Sequence, residues 1–169
     1  MNTTPAVTVV IPAHKRPEEL RRAIAAARAQ EYPGDIDVVV VFDRADPDLS
    51  LTQTGPRPVR VLANARTPGL AGARNTGILA ATGELVAFCD DDDYWLPSKL
   101  ITQVAQFRQH PAAILVSCAI TVDYEGRSTP RRAGTDRVTH AMLTRSRMSM
   151  VHSSTLLFRR TALLGDLGL

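Results

Sequence analysis

Four consecutive carboxylates, Asp90-Asp91-Asp92-Asp93, stand directly after the apolar run Leu85-Val86-Ala87-Phe88-Cys89 and directly before Tyr94-Trp95-Leu96-Pro97. Adjacent carboxylates repel one another, so a chain gains little from such a run beside a hydrophobic strand unless a cation neutralises it. Hard divalent ions such as Mg²⁺ and Mn²⁺ take oxygen ligands and leave positions open for phosphate oxygens and water. The plainer reading is a solvated acidic turn. The strand before the acids and the Trp-Leu-Pro after them favour the metal site.

A strand over 86–89 places these acids where the chain leaves a sheet at its carboxyl end, the edge at which open α/β sheets bind ligands. Three other stretches fall on the same edge. Val7-Thr8-Val9-Val10-Ile11 is a β-branched buried strand ended by Pro12, and Ala13-His14-Lys15-Arg16 is the loop after it. Ile36–Phe42 is a second buried strand with Asp43 at its exit. Val59–Ala63 is a third, followed by a loop over Asn64–Gly69 and a small-residue helix, Leu70–Ala81, that carries Ala73, Arg74 and Asn75. A basic loop, an isolated acid, a guanidinium and an acid cluster on one edge suit a nucleoside diphosphate. Asp43 would accept from a nucleobase or ribose, Arg74 would pair with phosphate or brace an acid, and the cation would bridge the pyrophosphate.

The remaining elements follow from period and punctuation. Pro17 with Glu18 and Glu19 starts a helix whose apolar positions are Leu20, Ala23, Ile24 and Ala27, and Tyr32-Pro33-Gly34 stops it. Asp46–Pro58 reads as loop with one helical turn. A helix runs over Leu96–Gln109, with Pro97 and Ser98 in its first turn and Leu96, Leu100, Val104 and Phe107 on one face. Ala113–Val122 reads as a strand, Asp123–Gly126 as a turn, Ser128–Asp136 as a polar basic loop, Val138–Arg145 as a helix, Met150–Phe158 as a strand and Arg159–Leu164 as a terminal helix. Strand–connection–strand steps in this order predict one α/β domain with a mainly parallel sheet.

Bulk properties narrow the partners without choosing one. The chain has 169 residues and a net charge of +3, and its arginines form short pairs (Arg57/Arg60, Arg131/Arg132, Arg159/Arg160) rather than the basic stripe of a nucleic-acid binder. No apolar run approaches the ~20 residues that span a bilayer. The N-terminus lacks the residue order of a signal peptide. Cys89 and Cys118 lie in apolar runs and read as buried free thiols, so the expected compartment is the cytoplasm.

The ordered set of motifs resembles family 2 glycosyltransferases of the GT-A fold, a Rossmann-like three-layer α/β/α arrangement. Val7–Pro12 is similar to that family's opening strand, Gly69–Ile78 to its Ala-Arg-Asn segment, and Phe88–Pro97 to its Asp-x-Asp stretch, in matching order over roughly the first 110 residues. The resemblance implies a nucleotide-sugar donor, UDP-linked by family habit, a Mn²⁺ or Mg²⁺ cofactor, and inverting transfer to an acceptor glycan, lipid-linked sugar or small molecule. By position it puts Pro12, Ala13 and His14 against the nucleoside and Asp43 against the base. Arg16, Ala73, Arg74, Asp90 and Asp91 complete the donor contacts. Asp92 and Asp90 become the metal ligands, Asp92 the direct one, with the role open to Asp91 or Asp93 because four successive acids leave the register ambiguous. Phe42-Asp43 stands where the family usually has two acids, and His14-Lys15 where it often has Tyr-Asn.

The family's catalytic base lies downstream of the segment that Met150–Leu169 resembles. Neither Asp136 nor Asp166 sits in a matching motif, so no base is named. The expectation is therefore a single domain over 1–169 that stops short of the acceptor segment. A nucleotidyltransferase would carry a glycine-rich loop after the first strand, which Pro12–Arg16 lacks. A non-catalytic cation-binding module would bind metal without nucleotide dependence. Neither alternative accounts for Asp43 and Arg74. Sugar, acceptor and oligomeric state are left open.

Overall fold

In a computed structural model of the chain, residues 4–146 and 148–165 are described. Eight strands and five helices follow in the order β1 (Val7–Ala13), α1 (Pro17–Arg28), β2 (Ile36–Phe42), β3 (Val59–Ala63), α2 (Leu70–Ala80), β4 (Leu85–Phe88), α3 (Lys99–Gln109), β5 (Leu115–Val116), β6 (Ile120–Tyr124), β7 (Arg127–Arg131), α4 (His140–Arg145), β8 (Leu157–Arg159) and α5 (Arg160–Leu164), with single 3-10 turns at Leu49–Leu51 and Ser153–Thr155. Six strands form one sheet in the order β3-β2-β1-β4-β8-β5. The pairs β3–β2, β2–β1 and β1–β4 are parallel, while β8 runs antiparallel to both β4 and β5. Five of the six strands therefore point the same way, and β8 alone is reversed.

The β1 strand is buried on both faces, as a continuous β-branched run requires. Val7, Val9 and Ile11 face a layer made by α1 (Leu20, Ala23, Ile24, Ala27) and α3 (Leu100, Val104, Phe107). Val10, with Val86 and Phe88 of β4, faces Ile78 and Ala81 around α2 and Leu163 of α5 on the other side. The result is the expected α/β/α sandwich. The carboxyl end of α1 is closed by Arg57, whose guanidinium donates to the carbonyls of Arg28, Gln30 and Tyr32, the last two at 2.7 and 2.8 Å. A cation suits the negative end of a helix.

Several sequence expectations are corrected in the second half. The strand read over Ala113–Val122 breaks after β5, because the Gln103 amide claims the Val116 carbonyl at 3.2 Å and the Thr155 carbonyl at 2.7 Å. The first part of the stretch Ser128–Asp136, expected as loop, belongs instead to β7 and pairs with β6 as a hairpin. Glu125 and Gly126 both adopt positive φ, 48° and 74°, which is the two-residue turn that forces antiparallel pairing whatever the side chains. The strand read over Met150–Phe158 contracts to β8 because His152 opens a 3-10 turn instead. Leu96 precedes α3 and is 67% exposed; Trp95 takes the core place, its indole N–H donating to the Ser154 carbonyl at 3.0 Å. Pro97 and Ser98 likewise precede α3, with Ser98 as its N-cap. Both cysteines are free; Cys89 is buried and Cys118 half-buried. No helix among the described residues is long and apolar enough to cross a membrane.

Lys99 at the start of α3 gives a stability prediction. Its ammonium lies 3.9 Å from the centre of the Trp95 ring and donates to Gln103 at 2.7 Å, yet burial outweighs both and lowers its pKa to about 8. Between about pH 8 and the ordinary lysine value near 10.5, the unfolded chain binds more protons than the folded one, so stability rises with pH. Lys99→Met is expected to flatten that rise, as read by chemical denaturation at pH 7, 8.5 and 10.

Candidate active site

The strand ends converge on a cleft of about 460 Å³ at the carboxyl edge of the sheet. It is lined by Pro12, Ala13, His14 and Arg16 from the β1 exit, Asp43 and Arg44 from the β2 exit, Leu70 and Ala73 of α2, all four acids of the 90–93 run, and His152. Its size falls within the ~300–1,000 Å³ of small-molecule sites. Each residue singled out from the sequence borders this cleft except Arg74, which stands behind Asp90.

Asp43 organises one wall. Its Oδ1 accepts from the Asn64 amide at 2.7 Å, and the Gly69 N–H reaches both its oxygens at 3.0 Å. Gly69, at φ 124°, is the N-cap of α2, so the carboxylate sits at the positive end of that helix. Asn64 is held in turn by the Thr76 hydroxyl at 2.9 Å and the Arg66 N–H at 2.9 Å. The Gly69 N–H first, then the Asn64 amide, with Arg44 and His14 adding, hold the Asp43 carboxyl below its ordinary range against partial burial. A carboxyl with a lowered folded pKa contributes stability above its unfolded pKa, near ~3.9, and loses it as pH falls through the folded value. The stability gap between the native chain and Asp43→Asn is expected to shrink as pH drops from about 5 to about 2, followed by thermal melts across that range.

The β1 exit supplies His14 and Arg16. The His14 backbone N–H donates to Asp91 Oδ2 at 2.9 Å, and its ring Nδ1–H donates to the Asp43 carbonyl at 2.9 Å. Arg16 pairs with Asp91 at 2.7 Å and also with Asp92. Asp91 is 2% exposed and is thereby neutralised inside the wall. Lys15 and Arg44, just past the ends of β1 and β2, take left-handed φ of 56° and 52°. This conformation costs on the order of 1 kcal/mol for a residue with a Cβ, and both instances lie in loops that frame the cleft.

The acid run is a tight turn, closed by the Asp93 N–H to the Asp90 carbonyl at 3.0 Å. The first and fourth residues of such a turn lie near one another. Asp91 and Asp92 at its corners face Arg16, while Asp90 and Asp93 face the other way. Among the described residues Asp90, Asp93 and His152 offer ligand atoms that all lie within 4.8 Å of one another. Asp92, expected as the direct metal ligand, stands outside that trio beside Arg16, half-exposed.

His152 lines the cleft although the sequence reading did not single it out. The 3-10 turn Ser153–Thr155 is fastened to the acid run. The Ser153 hydroxyl donates to Asp90 Oδ2 at 2.8 Å, and the Asp90 N–H donates to the Ser154 hydroxyl at 2.9 Å. Arg74 donates from Nη2 to Asp90 Oδ1 at 2.6 Å and to Ser153 at 2.7 Å, while its Nε is buried without a partner. A polar His-Ser-Ser-Thr run ahead of an apolar strand was the available signal, the same pattern of a strand flanked by chemistry that marked the acids. Asp136 is exposed in the loop after β7, and Asp166 lies outside the described residues.

Comparison with known proteins shows the family and the fold. A family model described as glycosyl transferase family 2 matches residues 8–164. The succinoglycan biosynthesis protein ExoO of Rhizobium meliloti is 38% identical over 130 residues, which is 76% of this chain and 37% of that protein. The Escherichia coli protein WfgD, a UDP-Glc:α-D-GlcNAc-diphosphoundecaprenol β-1,3-glucosyltransferase, is 28% identical over 100 residues, 59% of this chain and 40% of that protein. Among solved structures, S. aureus TarS in complex with UDP superposes with a TM-score of 0.74 at 24% identity, over 95% of this chain and 48% of the other. The mannosyltransferase PcManGT of Pyrobaculum calidifontis, in complex with GDP-Man and Mn²⁺, gives 0.69 at 23% identity, over 99% and 48%. The fold is thus that of GT-A enzymes. The chain spans about two fifths of the length of the curated relatives named here.

Proposed function

Since this chain belongs to glycosyl transferase family 2, we propose that it binds the nucleotide-sugar donor of a metal-dependent, inverting glycosyltransferase, with a UDP-sugar as donor and a hydroxyl of a glycan or lipid-linked sugar as acceptor. One observation carries the reading: Asp43 and the acid run, with Arg74 paired to Asp90 from behind, are up to 50 residues apart in sequence, yet the acids border a single cleft of nucleotide size. The UDP found with TarS and the diphosphoundecaprenol-linked acceptor in WfgD's name support the donor and acceptor classes.

In this reading Pro12, Ala13 and His14 line the nucleoside and Asp43 accepts from the base. Asp43 is prepared for that task, because Asn64 and Gly69 keep its carboxylate ionised and fixed. Arg16 and Arg74 hold the acids in place and bring positive charge beside the diphosphate. The residues fit a divalent cation: four carboxylates at 90–93 face two guanidiniums, and Asp93 has no partner but His152 among the described residues. Mn²⁺ or Mg²⁺, held by Asp90 with Asp92 or Asp93, would offset charge developing on the leaving diphosphate. The acceptor oxygen attacks the anomeric carbon as the sugar–phosphate bond breaks, and its proton passes to a base. No described residue is assigned as that base.

Calorimetric titration with UDP, GDP and ADP, each with and without Mn²⁺, tests the proposal. UDP binding that requires the ion is the expected result. Binding of UDP at equal strength without any divalent ion overturns the metal-dependent reading, and selective binding of GDP or ADP reassigns the donor.

A further inference from the structure

The acid run alone would not specify which cation it takes, since clusters of exposed carboxylates are common without one. The turn packed against it does more. Resting on the donor-site reading above, we infer that His152 is the third protein ligand of the divalent cation, and that its imidazole makes the site prefer Mn²⁺ and similar transition ions to Mg²⁺.

Three observations converge on this. First, the geometry is that of a ligand set: His152 Nδ1 lies 3.4 Å from Asp93 Oδ2, and its Nε2 lies 3.8 Å from Asp90 Oδ2. One ion with ligand bonds near ~2.1 Å closes a triangle of that size with small side-chain rotations. Second, the charges are matched elsewhere but not here. Asp91 and Asp92 are met by Arg16 and Asp90 by Arg74, whereas Asp93 faces only a ring that is neutral when it binds metal. Third, the histidine is placed in advance. Ser153 and Ser154 fasten its turn to Asp90 by two hydrogen bonds, and the Trp95 indole holds the Ser154 carbonyl. Ligand positions supported in this way by neighbouring hydrogen bonds are a mark of built metal sites.

The selectivity follows from ligand chemistry. Mg²⁺ favours an all-oxygen shell and dehydrates reluctantly, whereas first-row transition ions accept an imidazole more readily, Mn²⁺ least among them and the later ions more strongly. His152 also comes from the far side of the chain, immediately before β8, so the ion would join the end of β4 to the start of β8 across the mouth of the cleft.

Mn²⁺ binding to the full chain, followed by electron paramagnetic resonance in the presence of UDP, tests this directly. Pulsed measurements on the native protein are expected to show hyperfine coupling to a nitrogen of a directly bound imidazole, and His152→Ala is expected to lose it. The same substitution is expected to weaken Mn²⁺ binding about tenfold or more and to weaken Mg²⁺-supported UDP binding by a smaller factor, narrowing the preference between the ions. The His152 side chain is 45% exposed and its only hydrogen bond among the described residues is a long one accepted from the Ser154 N–H at 3.4 Å, so the variant should lower the melting temperature only slightly, which is checked alongside. Absence of the nitrogen signal in the native protein, or an ion preference that is the same with and without His152, overturns the inference while UDP binding leaves the donor reading standing. Failure of UDP to bind with either ion overturns both.

Discussion

Asp90→Ala is expected to weaken ion-dependent UDP binding on the order of 100-fold and to lower stability by about 2 kcal/mol. Both effects have the same origin. Asp90 accepts from the Arg74 guanidinium at 2.6 Å and from the Ser153 hydroxyl at 2.8 Å, and it is the acid shared by every arrangement of cation ligands the turn allows. Its side chain is only 16% exposed and that of Arg74 23%. Truncation therefore leaves a guanidinium, whose Nε already lacks a partner, without a counter-charge in a poorly hydrated place. Asp90→Asn separates the two consequences. It keeps the shape and, with its amide oxygen towards Arg74 and its N–H donating to the Ser153 hydroxyl, one acceptor for the guanidinium, so it should recover part of the stability, but a neutral amide does not replace a carboxylate for a divalent ion. Calorimetry with UDP and Mn²⁺ alongside thermal melts reads both quantities. Native-strength binding by Asp90→Ala would remove this residue from the site.

Gly72→Ala is the largest purely steric prediction. A Cβ at this position would stand 1.8 Å from the Thr67 carbonyl oxygen and 3.2 Å from the Asn64 amide nitrogen. The obstacle is backbone, so no rotamer change relieves it, and either α2 must withdraw or the 64–69 loop must move. We expect a cost of about 3 kcal/mol, against an ordinary helical Gly→Ala gain of ~1 kcal/mol. The loop that would shift carries Gly69 and Asn64, the two donors that fix Asp43. Nucleotide affinity should thus fall along with the melting temperature. Gly77→Ala, whose Cβ would meet Val10 Cγ1 at 2.2 Å, meets a side chain instead and lies away from Asp43. It should lose stability with less effect on binding of UDP, measured on the same two instruments.

The amino-terminal part of the fold was legible because its determinants are local. Buried parallel strands announce themselves as β-branched runs, as at Val7–Ile11 and Ile36–Phe42, and Pro17 and Gly34 bracket α1. After Gln109 the determinants are tertiary. Nothing near Val116 in the sequence says that Gln103 will cap its carbonyl and end the strand. The β6–β7 hairpin was written in Glu125-Gly126, but only a backbone with two successive positive φ angles makes that pair decisive, and Arg127–Arg131 carries no apolar alternation to repeat the message. In the site, residue types revealed the chemistry, and strand ends revealed the edge. Turn geometry did not show: the Asp-x-Asp spacing of the resemblance groups Asp90 with Asp92 and leaves Asp93 open, whereas the closed turn groups Asp90 with Asp93 and turns Asp92 towards Arg16. His152 was hidden for a related reason, being 59 residues beyond Asp93 and brought back only by the reversed pairing of β8 on β4.

That reversal has an architectural consequence. Because β5 points with the majority and β8 against it, the chain departs from the sheet after Val116 and re-enters before Leu157 on one and the same rim. Everything in between, hairpin and short helix included, is an excursion hung from two neighbouring posts, and it contributes no strand to the main sheet. Such an excursion can change in length without altering the order of the six strands, and its last turn before β8 brings His152 to the cleft. A single inverted strand would in this way let one scaffold serve many molecules on its outer side while its inner side remained fixed.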